Sequence, residues 1–249
     1  MNTTTQHNIE TLRTWIQSCP ANGLVFFGGA GVSTESGIPD FRSADGLYAQ
    51  KYHILPEQIV SHSYFMEHTK LFYEFYFDKM IFPHAQPNAC HTKLAQLEHD
   101  GVLQSVITQN IDGLHQQAGS THVHELHGSV HRNTCLNCKQ TYTLKQTHEQ
   151  WVHSGDGIPH CTQCGGIIKP DVVLYEEPLD DATTFAAVKA IASAELLIIG
   201  GTSLAVYPAA GMIDYFSGKH LAIVNMSSTP RDEQADLCIN APIGEVFNF

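Results

Sequence analysis

The sequence predicts an α/β fold in which one parallel sheet is covered by helices on both faces. Short apolar runs lack the alternation of polar and apolar residues that marks a half-exposed strand; they span 24–27, 102–108, 123–126, 172–174, 196–199 and 221–225. Segments with helical periodicity lie among them, at 8–18, 88–99, 180–193 and 208–216. Strands that alternate with helices in this way are typical of a parallel sheet.

Two segments interrupt this alternation and predict small inserted modules. Residues 46–82 carry aromatic side chains at helical intervals, which predicts a helical insert. Residues 129–170 carry two Cys-x-x-Cys pairs, which predict a zinc-binding module. The remaining segments, 1–45, 83–128 and 171–249, are predicted to form the sheet domain. A chain of 249 residues fits one large domain with inserts better than two equal domains.

The first predicted strand leads directly into a glycine-rich loop at 28–31. Glycines allow backbone N–H groups to approach an anion closely, as in sites that bind the pyrophosphate of a nucleotide. The usual dinucleotide fingerprint is incomplete, because Thr34 replaces its third glycine, and Gly37 and Pro39 interrupt any following helix. We therefore expect an open loop over a ligand, with a tight surface turn as the alternative. The loop carries larger side chains of its own at Asp40, Phe41 and Arg42.

Polar residues follow several predicted strands at the point where each strand ends. Because the carboxyl ends of parallel strands meet at one edge of a sheet, these residues are expected to converge there. Each group alone is compatible with ordinary turn and helix-cap chemistry, but together they indicate a ligand as long as a dinucleotide. They are Gln109, Asn110, Ile111 and Asp112 after strand 102–108, Gly201, Thr202 and Ser203 after strand 196–199, and Asn225 and Met226 after strand 221–225.

His127 follows strand 123–126 and precedes the cysteine-rich module. The chain has 16 histidines, so most of them are surface or structural residues. His127 differs in its position at a strand end, beside the expected positions of Asn110 and Asp112. Since the unperturbed pKa of histidine is near 6.5, His127 is a candidate general base at neutral pH. The alternative is a core or helix-end histidine.

Four of the 7 cysteines form the two Cys-x-x-Cys pairs. In a reducing environment such pairs predict tetrahedral ligation of zinc, with redox-active dithiols as the alternative. Four thiolates leave no open coordination position, so the metal is expected to stabilise the fold and to take no part in catalysis. The predicted ligands are Cys135, Cys138, Cys161 and Cys164.

The chain is acidic, with 13 basic and 25 acidic residues and a formal net charge of −12. This charge argues against binding to nucleic acid, including binding by the zinc module, and against anionic membranes. It suits a cationic partner such as a lysine-bearing polypeptide. No apolar run approaches the roughly 20 residues that cross a bilayer, and the polar N-terminus lacks the features of a signal peptide. We therefore expect a cytoplasmic protein.

Several motifs follow one another in a characteristic order: Gly-Ala-Gly-Val-Ser at 29–33, Gly-Ile-Pro-Asp-Phe-Arg at 37–42, Gln-Asn-Ile-Asp at 109–112, His-Gly at 127–128, the two cysteine pairs and Gly-Thr-Ser-Leu at 201–204. With these motifs the chain resembles the sirtuins, the NAD-dependent protein lysine deacylases, over nearly its whole length. The resemblance is closest to the compact bacterial type and implies a Rossmann-like sheet domain. One departure is Gly28, where many relatives carry threonine, and this change should alter loop rigidity more than chemistry.

The resemblance implies that NAD lies along the sheet edge and is consumed as a co-substrate. His127 would act as the base and Asn110 as a second catalytic residue, while the acyl group passes to ADP-ribose and nicotinamide and free lysine are released. The zinc would be structural. The residues implied to contact NAD are Gly29, Ala30, Gly31, Thr34, Asp40, Phe41, Arg42, Gln109, Asn110, Ile111, Asp112, His127, Gly201, Thr202, Ser203, Asn225, Met226 and Cys238.

The implied substrate is an acylated lysine of a protein or peptide, whose backbone would add a strand between the zinc module and the sheet. Relatives that remove succinyl or malonyl groups carry a tyrosine followed three residues later by arginine, and the corresponding residues here are Tyr76 and Lys79. Lysine lacks the guanidinium fork that grips a carboxylate, so deacetylation is expected. Another acyl preference, or transfer of ADP-ribose to proteins from the same NAD site, is the alternative. A monomer is compatible with the sequence, which leaves the oligomeric state open. The residues implied to bind substrate are Tyr76, Lys79, Val172, Val173, Leu174, Tyr175, Leu204 and Val206.

Overall fold

The computed structural model describes residues 3–40 and 54–249; the predicted site residues Phe41 and Arg42 lie outside this range. The helices in this range are α1 (Thr3–Ser18), α2 (Pro56–Ile59), α3 (His62–Glu67), α4 (Thr69–Lys79), α5 (Ala89–His99), α6 (Leu114–Gln117), α7 (Leu144–His153), α8 (Asp181–Ser193) and α9 (Ile243–Val246). The strands are β1 (Leu24–Gly28), β2 (Leu103–Thr108), β3 (Val123–Glu125), β4 (Gly128–Cys135), β5 (Thr141–Thr143), β6 (Ile168–Val172), β7 (Leu196–Gly200), β8 (His220–Val224) and β9 (Leu237–Ile239). None of the described helices has the length and apolar character that crossing a membrane requires.

The main sheet has six parallel strands in the order β3-β2-β1-β7-β8-β9. The strands β2 and β3 follow β1 toward one edge of the sheet, and the strands β8 and β9 follow β7 toward the other edge. The strand order therefore reverses between β1 and β7, and in parallel sheets a ligand crevice opens beyond the carboxyl ends of the strands at such a point. Gly28 lies opposite Gly200 at this end of the two strands. The prediction of a parallel α/β sheet is confirmed.

Helices cover both faces of this sheet, as the uninterrupted apolar strands require. Phe26 of β1 points into a core shared with α1, α5 and α9. Its neighbours Val25 and Phe27 point into a second core with α8 and with the 3-10 helix Ala209–Tyr215. All five residues of β1 are buried. The first strand is thus held from both sides, which fixes the starting point of the glycine-rich loop.

A second, antiparallel sheet has the order β5-β4-β6 and carries the cysteine pairs at its end. Helices α3 and α4 pack against it through an aromatic cluster. The helical insert predicted at 46–82 and the module predicted at 129–170 therefore share one hydrophobic core, and the domain limits drawn from the sequence stay a prediction. The buried members of this core are Val60, Phe65, Phe72, Tyr73, Tyr76, Val130, Val172 and Leu174.

The structure differs from the predicted elements at three places. The strand predicted at 172–174 is wrong, because β6 spans Ile168–Val172 and pairs antiparallel with β4 in the small sheet. Its apolar sequence reflects packing against the aromatic cluster and not burial on both faces. The helix predicted at 208–216 is a 3-10 helix over Ala209–Tyr215. The edge strand β9 and the strands β4 and β5 are absent from the prediction, because β5 and β9 have only three residues each and the eight residues of β4 are mostly polar.

Candidate active site

Four polar loops meet at the carboxyl edge of the main sheet, as the sequence predicts. Backbone hydrogen bonds tie each loop to the strand beside it. The Gln109 N–H donates to Gly28 O at 3.0 Å, the Gly29 N–H to Gly200 O at 3.1 Å, and the Gly201 N–H to Val224 O at 3.0 Å. The loops after β2, β1, β7 and β8 are therefore neighbours along the crevice at the β1–β7 reversal.

The glycine-rich loop packs so tightly against the loop after β7 that side chains are excluded. A Cβ on Gly31 would lie 2.8 Å from the Gly201 Cα, and a Cβ on Gly29 would lie 2.7 Å from the Thr202 Cβ. The amides of Gly29, Gly31, Val32 and Ser33 all donate to carbonyl groups of the protein. Among the amides of residues 29–33, that of Ala30 alone has no backbone acceptor within the described part of the chain. The glycines therefore allow the two loops to pack closely. Of the described amides at 29–33, only that of Ala30 is left for an anion, whereas the sequence predicted that several amides would bind it.

Ser33 links two of these loops through its hydroxyl group. Its Oγ donates to Asp112 Oδ2 at 2.7 Å and accepts a hydrogen bond from Asn110 Nδ2 at 3.1 Å. The other Asp112 oxygen accepts the Leu114 N–H at 2.9 Å. Ser33 and Asn110 are buried, at 1% and 9% exposure. Ser33 is absent from the predicted site residues, although it ends the Gly-Ala-Gly-Val-Ser motif at 29–33 that contributes to the family resemblance.

His127 is oriented by a backbone carbonyl. Its Nδ1 lies 3.0 Å from Gln109 O, and because a carbonyl only accepts hydrogen bonds, Nδ1 carries the proton. The Nε2 atom of the neutral ring is then an acceptor, and it has no hydrogen bond within the residues described. Burial lowers the pKa of His127 below its usual value, although the bond to Gln109 opposes this shift. The imidazole is therefore neutral at pH 7, as a general base must be.

On the β7 side of the crevice, Thr202 joins the loop after β2. Its Oγ1 accepts from Gln109 Nε2 at 3.1 Å and from the Leu204 N–H at 3.2 Å. Ile111 lies on the opposite side, where its carbonyl accepts the Val130 N–H at 3.0 Å. These bonds order the side chain of Gln109 and join the two loops and β4.

The other predicted NAD residues lie around these loops with fewer contacts between them. Thr34 is exposed, and its Oγ1 donates a hydrogen bond to Gly31 O in the same loop. Asp40 is half-buried. Beyond β8, Asn225 Nδ2 donates to Ser227 O at 2.8 Å, and Met226 and Ser203 are exposed. The Cys238 thiol of β9 lies 3.6 Å from Asp232 O. This outer part of the crevice is open.

The segment implied to pair with a peptide, residues 173–175, begins a loop that we call the strap (residues 173–177). The amides of Val173, Leu174 and Tyr175 already donate hydrogen bonds within the protein. The Val173 N–H donates to His127 O at 3.0 Å and the Tyr175 N–H to Val60 O at 3.0 Å. The Leu174 N–H donates to the Glu177 carboxylate at 2.9 Å. A peptide therefore finds the Val173 carbonyl, and not these amides, on the strap. The second segment that the resemblance implies to pair with a peptide is 201–206. There the backbone groups of Ala205 make no hydrogen bond in the described structure, so both are available to a peptide.

The remaining predicted substrate residues differ in their surroundings. Tyr76 is completely buried in the aromatic cluster, and its hydroxyl has no hydrogen-bond partner in the described structure. Lys79 Nζ lies 2.9 Å from Asp78 Oδ2 in an ion pair. Leu204 is buried in a left-handed backbone conformation with φ 52°, and Val206 is half-buried. Tyr76 and Lys79 thus do not form a matched pair at one polar pocket.

The four predicted zinc ligands form one cluster, with all four sulfur atoms within 4.8 Å of one another. Cys135 and Cys164 Sγ are 3.5 Å apart, as are Cys138 and Cys161 Sγ. A tetrahedral zinc ion with Zn–S bonds of about 2.3 Å needs sulfur atoms roughly 3.8 Å apart, so the cluster fits this metal. The Tyr142 hydroxyl lies 3.1 Å from Cys161 Sγ, and its hydrogen bond lowers the pKa of that thiol to about 6. Thiolate, the form that binds zinc, is favoured there.

Comparison with known proteins identifies the family. Residues 29–208 match the Sir2 family. The chain is 57% identical over 230 residues to an NAD-dependent protein deacetylase of Clostridium perfringens, covering 91% of this chain and 92% of that protein. A solved structure of Sir2 with a p53 peptide and NAD+ superposes with a TM-score of 0.84 at 37% identity, covering 96% of this chain and 95% of the other. Sir2 bound to acetylated peptide gives 0.84 at 35% identity with the same coverage. The chain belongs to the Sir2 family, and the resemblance to the sirtuins is confirmed.

Proposed function

We propose that this protein is an NAD-dependent protein lysine deacetylase that transfers the acyl group of an acylated lysine to ADP-ribose. The observation that carries the proposal is the hydrogen bond from His127 Nδ1 to Gln109 O, which leaves Nε2 as a proton acceptor beside the loop that follows β2. A relative at 57% identity is named an NAD-dependent protein deacetylase, and a similar solved structure contains NAD+ with a peptide. Both support this activity.

The polar groups at the crevice fit NAD. The Ala30 amide is available to a phosphate oxygen, and the side chains of Gln109, Asn110 and Asp112 suit the hydroxyl groups of a ribose and an amide. Bound NAD supplies a glycosidic bond to nicotinamide, and its cleavage leaves ADP-ribose as the acceptor of the acyl group. The residues of the outer crevice, including Asn225 and Met226, are assigned to the adenosine half.

His127 and Asn110 are assigned the catalytic roles. His127 Nε2 takes up a proton from the ribose hydroxyl groups, and the carbonyl of Gln109 stabilises the resulting imidazolium through Nδ1–H. Asn110 is held by Ser33, which in turn bonds Asp112. This chain of hydrogen bonds orders the polar groups before the ligand arrives, so less reorganisation is needed during the reaction.

We assign acetyl-lysine as the main substrate group. Lys79 is paired with Asp78, so it offers little net charge to an acidic acyl chain, and a lysine lacks the bidentate fork of arginine. Succinyl and malonyl peptides are therefore expected to be poor substrates.

The four cysteines are assigned a structural zinc ion, which closes the end of the small sheet. We further propose that the protein acts as a monomer on acylated proteins of the cytoplasm and does not bind nucleic acid. The charge of the chain, with 25 acidic against 13 basic residues, supports the choice of substrate and the absence of nucleic-acid binding, because it repels phosphate backbones and suits lysine-rich polypeptides.

The test is incubation of the purified protein with NAD and an acetyl-lysine peptide, with nicotinamide release and free lysine measured together. The wild type should form both in equal amounts, and His127→Ala should form neither at a measurable rate. His124→Ala, a half-buried histidine on β3, is the matched control and should stay active. Labelled NAD separates the alternative: label fixed on protein would favour ADP-ribosyl transfer, whereas label in acyl-ADP-ribose supports deacetylation. Nicotinamide release without loss of the acetyl group would overturn the proposal.

A further inference from the structure

The strap (residues 173–177) connects the backbone at His127 with the start of α3. Its first amide, that of Val173, donates to the backbone carbonyl of His127 at 3.0 Å. Its centre is bonded to the start of α3, since the His62 N–H donates to Tyr175 O at 2.9 Å and Tyr175 forms a parallel bridge with Ser61. The position of the strap is thus coupled directly to the backbone that carries the candidate base.

Glu177 holds the strap from its far end. One carboxylate oxygen accepts the Leu174 N–H at 2.9 Å and lies 3.0 Å from Lys169 Nζ. The other oxygen lies 2.9 Å from His62 Nδ1 on α3. The ion pair is largely shielded from water, with 14% exposure for the Lys169 side chain and 20% for Glu177. Shielding of this kind strengthens the attraction of the pair compared with an exposed pair.

Lys169 extends the same network into the small sheet. Its Nζ also donates to Val172 O at 2.9 Å, at the end of β6. These contacts lower the pKa of Glu177: the hydrogen bonds from Leu174 and His62 and the charge of Lys169 outweigh the opposing effect of burial, which is the largest single contribution. One carboxylate therefore fixes β6, the strap and α3 with respect to one another.

A second glutamate anchors the strap in a constrained backbone conformation. Glu176 has a φ of 76°, in the left-handed region that side chains other than glycine rarely adopt. Its carboxylate accepts the Ser63 N–H at 2.8 Å and the Ser63 hydroxyl at 3.0 Å. The turn at Glu176 is thus stabilised by contacts with α3 and not by its own backbone preference, so the shape of the strap depends on side-chain anchors.

We propose that Glu177 is a positioning residue for the acylated peptide, acting through the strap and not by contact with NAD. The proposal rests on the deacetylase function proposed above. The described contacts of Glu177 run to the strap, α3 and β6, whereas the NAD residues lie on the loops after β1, β2, β7 and β8. Removing the carboxylate should release the Leu174 amide and the Lys169 amine and let the strap shift beside His127.

The test compares Glu177→Ala and Glu177→Gln with the wild type in steady-state kinetics, varying the acetyl-lysine peptide and NAD separately. Loss of two hydrogen bonds and an ion pair should raise the KM for the peptide about tenfold in Glu177→Ala, with the KM for NAD within about twofold. Glu177→Gln keeps one oxygen for the Leu174 amide and should recover most of the loss. Glu149→Ala, which removes an exposed α7 carboxylate 4.0 Å from Lys145, is the matched control and should leave both constants unchanged.

Three outcomes contradict the proposal. If Glu177→Ala leaves the KM for the peptide unchanged, or changes both KM values equally, the residue does not position the peptide. Equilibrium binding of a fluorescent acetyl-lysine peptide separates this result from failure of the proposed function. If the wild type binds the peptide but does not deacetylate it, and Glu177→Ala weakens this binding, the proposed function is wrong while the role of Glu177 in positioning the peptide stands. A wild type without peptide binding overturns the inference.

Discussion

The Ser33 hydroxyl lies 2.7 Å from Asp112 Oδ2 and joins two loops that are 79 residues apart in the chain. The Ser33 Oγ also accepts a hydrogen bond from Asn110 Nδ2, so the hydroxyl group uses both its donor and one of its acceptor positions. Because the group is buried, any ligand that enters the crevice meets an amide and a carboxylate that are already fixed. Ser33 therefore determines the geometry of groups that the proposed reaction needs.

Replacing Ser33 with alanine should reduce kcat/KM for NAD about tenfold or more. The change leaves Asn110 Nδ2 and Asp112 Oδ2 without a partner, and an unpaired buried polar group costs about 1–3 kcal/mol. Nicotinamide release at varied NAD concentration measures the effect. Ser193→Ala, at the end of α8, is the control and should match the wild type. Equal kinetics for both variants would mean that the Ser33 hydrogen bonds are not used.

The acid limb of the pH–rate profile should have its midpoint below pH 6.5. The pKa of His127 is lowered by burial, and the base is active only when neutral, so kcat/KM should rise with pH through this lowered pKa and level off near neutrality. The profile is measured with acetyl-lysine peptide between about pH 5 and pH 8. A midpoint above 6.5 would contradict the role assigned to a buried neutral imidazole.

Two buried histidines behind the site should make the protein less stable in mild acid. His91 and His115 are in ring contact at 4.7 Å, and burial lowers their pKa values to about 4 and about 3. Below pH 6.5 the unfolded chain takes up protons that the folded chain refuses, so the free energy of unfolding falls as pH decreases toward 4, by about 1.4 kcal/mol per pH unit for each group.

Urea unfolding at about pH 7, 6 and 5 measures this slope, in a range above the titration of most carboxylates. His115→Phe keeps an aromatic ring but has no titratable nitrogen. The dependence of the unfolding free energy on pH should therefore decrease by the contribution of one histidine, about 1.4 kcal/mol per pH unit. An identical slope in the variant and the wild type would show that His115 is protonated as readily in the folded as in the unfolded chain.

Gly31→Ala should destabilise the fold by about 1–3 kcal/mol, because the added methyl group would overlap the backbone of Gly201. Neither backbone can move without disturbing β1 or β7, which are buried and in register. Gly155→Ala is the matched control, since a Cβ there has nothing within 4 Å. Urea denaturation of both variants measures the difference. Similar stability of the two would indicate that the loops separate at little cost.

Removal of zinc should unfold the cysteine end of the small sheet before the main sheet. Metal-binding energy at such a site is folding energy, and only a small buried cluster of Cys135, Tyr142, Cys161 and Ile168 surrounds it. Hydrogen exchange after chelation should show early loss of protection at β5 and slow exchange at β1 and β7. Simultaneous loss in both sheets would contradict the independence of the two regions. Cys19→Ser is the control for zinc content, since Cys19 lies outside the cluster.

Local sequence patterns predicted much of the fold. Strands such as β1 and β7 are apolar throughout, and burial on both faces leaves few other arrangements. Asn88 and Asp180 cap α5 and α8 as short polar residues before helical segments commonly do. The four cysteines were also predictable from a local pattern, because Cys-x-x-Cys spacing places both sulfur atoms of a pair on one side of a turn.

The contacts between distant segments were not predictable in the same way. Nothing near Ser33 indicates that Asp112 is its partner, and nothing near Glu177 indicates that its carboxylate reaches Lys169, Leu174 and His62. The apolar run at 172–174 resembles a strand of the main sheet, although β6 belongs to the small one. A local pattern records how buried a segment is but not which surface covers it.

The amino-acid sequence by itself determined the parallel sheet, the polar loops at strand ends, the position of His127 in one of them and the cysteine quartet. These depend on residue type and spacing, which the chain carries locally. The tertiary structure alone decided that the glycines serve contact with Gly201, that the Gln109 carbonyl sets the tautomer of His127, and that the strap is held by Glu177. Each of these depends on the distance between segments far apart in the chain, and that distance exists only after the sheet has assembled.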